Sequence, residues 1–177
     1  MPRIIRRVIT GNDELGRSRV VMDFSRERCG IAADLWLSGP ALATESGAVA
    51  LSSDGRLEPP SGGSVFRFFV VPPEERIRHT AVAERERLYA AHFQSMSASH
   101  ARVDTRRHPG MHPTNTLDYV VLLSGCVTLL LDDGAVELEP FDVVIQRGTN
   151  HAWVNYGSTD ALLAAVLLDA REPYIGM

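Results

Sequence analysis

The clearest pattern in the chain is a series of short apolar runs in its second half, each closed by turn residues such as Gly, Asp or Pro. Runs of this kind at intervals of about 8 to 12 residues are typical of an all-β sandwich or barrel. The predicted strands are 119–123, 126–131, 135–138, 143–146, 151–155 and 162–168. Asp133 and Gly134 predict a tight hairpin between the second and third of these strands, with positive φ at both residues.

One more strand and one helix are predicted ahead of this region. The segment 64–71 reads SVFRFFVV and ends at Pro72 and Pro73, as a strand entering a turn does. From Thr80 to about Met96, apolar residues recur at intervals of three and four, which predicts an amphipathic helix with Thr80 as its N-cap.

The first third of the chain has weaker patterns. Short strands are predicted at 20–24 and 33–37, and the polar segment GNDELGRS predicts a surface turn. The segment 39–63 is rich in Ala, Ser, Gly and Pro and predicts a loop. We therefore divide the chain into an N-terminal arm, 1–62, and a barrel, 63–177, which includes the helix at about 80–96.

Composition narrows the class of protein. The 177 residues are 45% hydrophobic and 23% charged, which suits one soluble globular unit and excludes a wholly disordered or coiled-coil chain. A net charge of -4 provides no field that would attract a polyanion, so we expect no nucleic-acid partner. All 18 basic residues are Arg, which excludes Schiff-base chemistry through a protein lysine.

The cysteines and the N-terminus give no sign of export. Cys29 and Cys126 form no C-x-x-C or C-x-x-H pattern, and we interpret both as small buried apolar residues. The basic N-terminus is not followed by an apolar run of signal-peptide length, and no apolar stretch approaches the ~18 residues of a membrane span. The sequence predicts a cytoplasmic protein of a bacterium-like cell with no membrane partner.

Three candidate metal ligands lie where predicted strands begin. His112 and Asp118 precede or open the first strand of the series, and His151 opens the fifth. A small barrel brings the ends of strands that are distant in sequence to one mouth, so the three side chains can converge. Two imidazoles and a carboxylate suit Zn, Fe, Mn or Ni and leave coordination positions open for water or substrate.

At these residues the chain resembles the cupins. The two cupin motifs, G-x5-H-x-H-x3,4-E-x6-G and G-x5-P-x-G-x2-H-x3-N, match HPTNTLDYVVLLSG at 112–125 and GAVELEPFDVVIQRGTNHAWVN at 134–155. His112 stands for the first metal histidine, Asp118 for the glutamate and His151 for the last histidine. Thr114 replaces the second histidine, and Gln146 stands where proline is usual.

The resemblance covers 108–170, and it implies both a fold and a type of site. Cupins are double-stranded β-helix, or jelly-roll, barrels, often dimeric, with an interior site that holds a divalent metal ion. The resemblance thus implies a barrel of the RmlC-like single-domain type, a metal held by His112, Asp118 and His151, and a homodimer.

Strand alternation predicts the walls of that site independently of the family. If His151 points inward, Trp153 does too, and Asp118 shares its face with Val120 and Leu122. We expect Thr114, Gln146 and Trp153 to contact a substrate, although Trp153 is as well explained as core. Tyr119 is expected to face away from the interior, and His108, in a Pro-Gly turn, to be exposed to solvent.

Three functional hypotheses follow. In the first, the metal acts as a Lewis acid on a carbonyl or enolate of a small organic substrate, and decarboxylation, dehydration, isomerisation, cyclisation and dioxygenation are all compatible. In the second, the barrel binds a small molecule without chemistry, which the missing second histidine favours. In the third, it is an oligomer component with a vestigial pocket. Hydrolase, phosphate-loop and metalloprotease signatures do not occur in the sequence.

Overall fold

The computed structural model describes residues 3–29, 32–38 and 55–170, and it contains ten strands and one α-helix in those residues. The all-β class predicted from the sequence is confirmed. The strands are β1 Arg3–Asn12, β2 Ser18–Cys29, β3 Ala32–Ser38, β4 Ser64–Val71, β5 Thr116–Ser124, β6 Val127–Leu131, β7 Ala135–Leu138, β8 Val143–Gln146, β9 His151–Val154 and β10 Ala161–Asp169. The helix, α1, is Val82–Ser95 and lies between β4 and β5, flanked by 3₁₀ turns at Glu74–Ile77 and Ser99–Ala101.

The strands from β3 onward form two sheets with jelly-roll connectivity. One sheet has the order β3-β4-β10-β5-β8, and the other has the order β7-β6-β9. An antiparallel bridge between His112 and His151 adds the segment before β5 to the free side of β9. Apart from the β6–β7 hairpin, consecutive segments from β4 onward alternate between the sheets, and each sheet pairs strands that are distant in sequence, as in the double-sheet jelly rolls.

The hydrophobic core lies between these two sheets. It is made by the inward residues of facing strands, with Val65, Leu122 and Leu163 almost completely buried. On β5 the buried positions are alternate ones, because successive side chains of a strand point to opposite faces. The row that begins at Thr116 and Asp118 therefore continues inward as Val120 and Leu122, as predicted.

Most predicted elements match the structure closely. The bounds of β4, β7 and β8 are those predicted, and the remaining barrel strands differ by one to three residues at their ends. The helix is two residues shorter at its start than predicted, and its N-cap is Ala81, which makes no side-chain capping bond. The assignment of Thr80 as N-cap was therefore wrong.

The arm contains more strand than the sequence indicated. β1 was not predicted, and it pairs along its length with β2 in an antiparallel hairpin. The polar segment between them is the turn, in which Asp13 Oδ1 accepts hydrogen bonds from the backbone N–H groups of Leu15 and Arg17. β3 pairs with β4 at the edge of the barrel sheet. Residues 39–54 of the predicted loop lie outside the described residues.

Two local predictions were wrong. In the hairpin between β6 and β7 only Gly134 has positive φ, 86°, whereas Asp133 does not. One left-handed glycine is typical of a type I turn followed by a G1 bulge. Cys126 is exposed at the turn between β5 and β6, so it is not a buried apolar residue. The side chain of Cys29 lies outside the described side chains.

The helix is attached to the barrel by one aromatic side chain and a polar network. The structure describes every residue of α1, and Phe93 is the one that is buried. Glu74 pairs with Arg85 of the helix and lies 3.5 Å from His108 Nε2, while the Tyr89 ring meets the His108 ring edge-on. His108 is 7% exposed, so the prediction that it faces solvent was wrong. Among the described residues, no helix has both the length and the apolarity to cross a membrane.

Candidate functional site

The fold places His112 and His151 side by side in the interior. Their backbones exchange two hydrogen bonds, with His112 N 2.9 Å from His151 O and His151 N 3.1 Å from His112 O. Residues directly opposite in an antiparallel pair have their side chains on the same face. The ring centroids are 4.5 Å apart. We call this pair the histidine site.

Both rings use the same nitrogen to bind the backbone. His112 Nδ1 lies 2.8 Å from the carbonyl oxygen of Gly110, and His151 Nδ1 lies 2.8 Å from that of Thr149. A carbonyl oxygen only accepts, so Nδ1 of His112 carries the proton and its Nε2 is left with the lone pair. His151 Nδ1 also lies 2.9 Å from Nε2 of Gln146, so a carbonyl acceptor and an amide donor both face it. In the part of the chain that the structure describes, neither Nε2 has a hydrogen-bond partner.

The environment keeps both imidazoles neutral. Burial lowers the pKa of His112 below its ordinary value, and the neighbouring His92 lowers it further. Burial lowers the pKa of His151 to about 3, and the adjacent His112 ring acts in the same direction. Neutral imidazoles with a carbonyl on Nδ1 and a free Nε2 are the form in which histidine binds a transition metal. The donor chemistry of the pair therefore fits two ligands of a divalent metal ion.

Asp118 lies in the same interior but has other neighbours. It is opposite Gln146 of β8 and Leu167 of β10, and it is 5% exposed. Burial raises the pKa of its carboxyl to about 6, against a lowering by a Thr116 hydrogen bond and by the charge of Arg67. Its Oδ1 is buried without a hydrogen-bond partner among the described residues.

The predicted ligand set is therefore only partly assembled. No group of three or more His, Cys, Asp or Glu side chains in the described residues is arranged to hold a metal ion. The structure brings the two histidines together, whereas Asp118 lies opposite Gln146 and does not join them in a group of three. The assignment of His112, Asp118 and His151 as metal ligands stays a prediction.

The residues predicted to contact a substrate all lie near this site. Gln146 Nε2 is 2.8 Å from the Thr149 carbonyl and 2.7 Å from its Oγ1, so the amide supports the loop that holds His151. Thr114 is buried and accepts a hydrogen bond from Thr116 Oγ1 at 2.8 Å. Trp153 faces inward, with its ring centroid 5.6 Å from that of His151. Their roles toward a substrate stay predictions.

Sequence reasoning missed two aromatic residues of this region. Phe93 reaches from α1 to the histidine site, where its ring centroid is 4.9 Å from that of His112. Phe69 of β4 lies 6.2 Å from Trp153 across the interior. Alternation along β4 could have placed Phe69 inward, whereas nothing in the sequence locates α1 over His112.

It also missed a buried arginine. Arg67 faces inward from β4 and is 8% exposed. Its Nε lies 3.0 Å from Asp34 Oδ1, and its Nη2 donates to the Arg56 carbonyl at 2.7 Å. In the sequence, Arg67 is one polar residue in an apolar strand, and alternation places it on the buried face.

The strand connectivity, the motif spacing and an interior histidine pair at the barrel end together decide the architecture. The chain has a cupin fold. The cupin resemblance found in the motifs is thereby confirmed, and the histidine site occupies the position that the motifs assign to the family's metal histidines.

The comparisons with known proteins found partial similarities. Over 50 residues the chain is 48% identical to the phomopsin biosynthesis cluster protein C′ of Diaporthe leptostromiformis, a match over 28% of this chain and 26% of that protein. Over 69 residues it is 33% identical to a cupin-domain-containing oxidoreductase of Aspergillus ruber, a match over 37% of this chain and 34% of that protein. The chain thus spans about a quarter to a third of the length of these fungal relatives. No family model matches the sequence.

Among solved structures, the chain is similar to an RmlC-like cupin family protein with a double-stranded β-helix fold from Methanocaldococcus jannaschii. The TM-score is 0.38 and the sequence identity is 13%, over 61% of this chain and 72% of that chain.

Proposed function

We propose that the chain is a small metal-dependent cupin enzyme that acts on a small organic substrate beside the histidine site. The observation that supports this most directly is the pair of buried, neutral imidazoles, each with Nδ1 fixed by a backbone carbonyl and Nε2 free. Burying two imidazoles whose Nε2 atoms have no partner costs free energy, and this cost is offset when a ligand binds them.

A divalent ion such as Zn, Fe, Mn or Ni would be held by His112 and His151, with Asp118 as the third ligand. When bound, it would supply Lewis-acid polarisation of a carbonyl or enolate oxygen of the substrate. Decarboxylation, dehydration, isomerisation, cyclisation and dioxygenation are all consistent with these residues. The oxidoreductase name of the Aspergillus ruber relative favours the last of them.

The protein's own side chains would orient the ligands and exclude water. The Gly110 carbonyl fixes the His112 ring, and Gln146 supports the Thr149 carbonyl that fixes the His151 ring. The apolar residues around Trp153 would limit the entry of water and so strengthen polar interactions with the substrate. The Thr114 hydroxyl would be available as a hydrogen-bond partner for the substrate.

Bound metal provides the test. We expect the purified protein, produced without a His-tag, to contain about one equivalent of a divalent metal, and His112→Ala and His151→Ala to lose it. His79→Ala removes a histidine whose side chain is 83% exposed, and this matched control should keep the metal. Elemental analysis of each variant, with circular dichroism to confirm folding, distinguishes these outcomes. A folded parent protein that takes up no added metal would contradict the proposal.

The alternative is a non-catalytic barrel that binds a small molecule at a degenerate metal site. Thr114 in place of a histidine, and the separation of Asp118 from the histidine pair, favour it. This reading predicts a folded protein that takes up no metal and still binds a small ligand in the interior, which calorimetry can detect.

The proposed partners are a small molecule and a second copy of the chain, with no nucleic acid and no membrane. Location in the cytoplasm is part of the same proposal. The relatives quoted above are fungal, so they give no support to a bacterial origin.

A further inference from the structure

Five aromatic rings form one row through the interior of the barrel. Neighbouring ring centroids are separated by 6.2 Å from Phe69 to Trp153, 5.6 Å from Trp153 to His151, 4.5 Å from His151 to His112 and 4.9 Å from His112 to Phe93. All of these separations lie within the range of about 4.5 to 7 Å that is typical of interacting rings. We call these residues the aromatic row.

The row is a product of tertiary structure. Phe69 belongs to β4 of one sheet, Trp153 and His151 to β9 of the other, His112 to the segment that bridges to β9, and Phe93 to α1. Rings from four separate segments therefore meet on one path, and this path runs from the middle of the barrel to the helix that covers His112.

The inner part of the row is accessible. Trp153 and Phe69 both pack against the central core cluster, yet each is only partly buried. The aliphatic side chains Val65 and Leu163 of the same core are fully buried. Both rings face inward, and their exposed surface is the part of the row that a ligand can contact.

The buried charged groups of the barrel interior do not favour an anionic ligand. Arg67 is a cation that faces the interior, but its guanidinium is already engaged by Asp34 and by the carbonyl oxygens of Arg56 and Leu57. The carboxyl group of Asp118 lies on the same side. A carboxylate or phosphate bound in the interior would have to displace the partners of Arg67 or lie close to Asp118.

We infer that the aromatic row is the substrate-binding wall of the proposed enzyme and that it takes a planar, uncharged aromatic compound whose hydroxyl or carbonyl oxygen is directed at the histidine site. This inference rests on the proposed function and narrows its substrate class. Planar rings stack on Trp153 and Phe69, whereas a saturated molecule of the same size gains only apolar contact.

Three probes of similar size separate shape from charge. β-Naphthol is planar and uncharged, decahydro-β-naphthol is its saturated analogue, and β-naphthoate is planar and anionic. In calorimetric titrations of the full-length protein, we expect β-naphthol to bind at least about tenfold more tightly than either of the others, because stacking and charge each contribute several-fold.

Substitutions in the row give a second, independent readout. Trp153→Leu and Phe69→Leu keep an apolar side chain and remove the ring, and each should weaken β-naphthol about two- to tenfold while leaving decahydro-β-naphthol unchanged. Phe66→Leu is the matched control, because Phe66 is on β4 but lies on its outer face, 37% exposed. It should bind β-naphthol like the parent protein.

The inference is overturned if the saturated alcohol binds as well as β-naphthol, if β-naphthoate binds more tightly, or if no probe binds. The probe comparison uses the parent protein, so a variant that fails to fold does not remove the test. Metal content of the same samples separates failure of the substrate class from failure of the proposed function. If all probes bind equally and the metal still depends on the two histidines, the substrate class alone is refuted. If the protein takes up no metal, the proposed function is refuted.

Discussion

His112 and His151 show how local hydrogen bonds prepare a side chain for chemistry. Each ring is held through Nδ1 by a carbonyl oxygen only two residues away in the sequence, at Gly110 and Thr149. These short-range contacts orient both rings, and the interior keeps each ring uncharged. The free Nε2 atoms then result from backbone geometry that the loops before each histidine impose.

The lowered pKa of His151 has a measurable consequence for stability. Its pKa is about 3 in the fold and close to its ordinary value of about 6.5 in the unfolded chain, so the unfolded state binds more protons between these limits. The stability that this residue contributes is complete above about pH 6.5 and is lost as the pH falls toward 3.

We therefore expect His151→Gln to flatten the acid side of the stability profile. In urea unfolding between about pH 4 and 7, with a chelator present, the parent protein should gain more free energy of unfolding as the pH rises than the variant does. His79→Gln, at an exposed position, should follow the parent. Identical slopes for the parent and His151→Gln would contradict the assigned neutral state.

Asp118 predicts the opposite dependence. Burial raises its pKa from 3.8 to about 6, so the folded state binds more protons between these values, and the contribution of Asp118 falls as the pH rises from about 4 to 6. At pH 7 the buried carboxylate is ionised at a cost to the fold.

Asp118→Asn should consequently stabilise the metal-free protein by about 3 kcal/mol at pH 7 and by almost nothing at pH 4, since a shift of one pKa unit corresponds to about 1.4 kcal/mol. Chemical unfolding at the two pH values measures both effects. The same variant should lower metal occupancy if Asp118 is a ligand. A destabilised variant at pH 7 would show that the ionised carboxylate has partners that stabilise it.

At the scale of elements, the attachment of α1 to the barrel depends mainly on one side chain, Phe93. Its other residues are partly or largely exposed, while Phe93 is 3% exposed and contacts the His112 ring. The polar contacts of the helix, from Arg85 to Glu74 and from Arg102 to Glu86, are only partly buried, and such ion pairs contribute little.

Phe93→Ala should destabilise the protein by about 3 kcal/mol, within the range for aromatic residues removed from a core, and should release α1 before the barrel unfolds. Leu88→Ala on the same helix, 47% exposed in the parent, should change stability by less than about 0.5 kcal/mol. Amide hydrogen exchange localises the effect. Equal protection of α1 in the parent and in Phe93→Ala would refute this account of the attachment.

Elements whose residue pattern lies within one segment were predicted more accurately than elements that depend on contacts with distant segments. The bounds of β4 and β8 were predicted to the residue. Each is a run of mainly β-branched or aromatic residues that is followed by Pro or by Arg-Gly, so the whole pattern lies within the segment. β1 was missed because its apolar residues come in pairs between arginines and do not alternate with polar ones, and its strand state depends on pairing with β2. The burial of His108 was missed because Glu74 and Tyr89 reach it from segments distant in sequence.

At the scale of the whole molecule, the outer face of the larger sheet is apolar across four strands. Phe66, Val166, Tyr119 and Ile145 are successive neighbours in register from β4 through β10 and β5 to β8. Tyr119 was expected to face away from the interior, and this is confirmed by its 44% exposure. An apolar surface of this extent commonly marks an interface, which supports the proposed homodimer.

We expect the protein to be a dimer in solution and Ile145→Glu to make it monomeric, because a two-fold interface places the introduced charge near its own copy. Val136→Glu is the control, since Val136 is 48% exposed on β7 of the other sheet. Light scattering coupled to gel filtration measures the mass of each. A parent protein that is monomeric at tens of micromolar would show that this face has another role.

The sequence by itself determined the strand pattern, the two motifs and the candidates His112, Asp118 and His151, because each of these depends on residue type and on spacing within a segment. Only the tertiary structure decided which candidates meet. Pairing of the His112 segment with β9 brought the two imidazoles together, whereas Asp118 took its neighbours from β4, β8 and β10. The aromatic row likewise arose from segments that no local pattern connects, because contacts between distant segments are set by how the sheets and α1 pack.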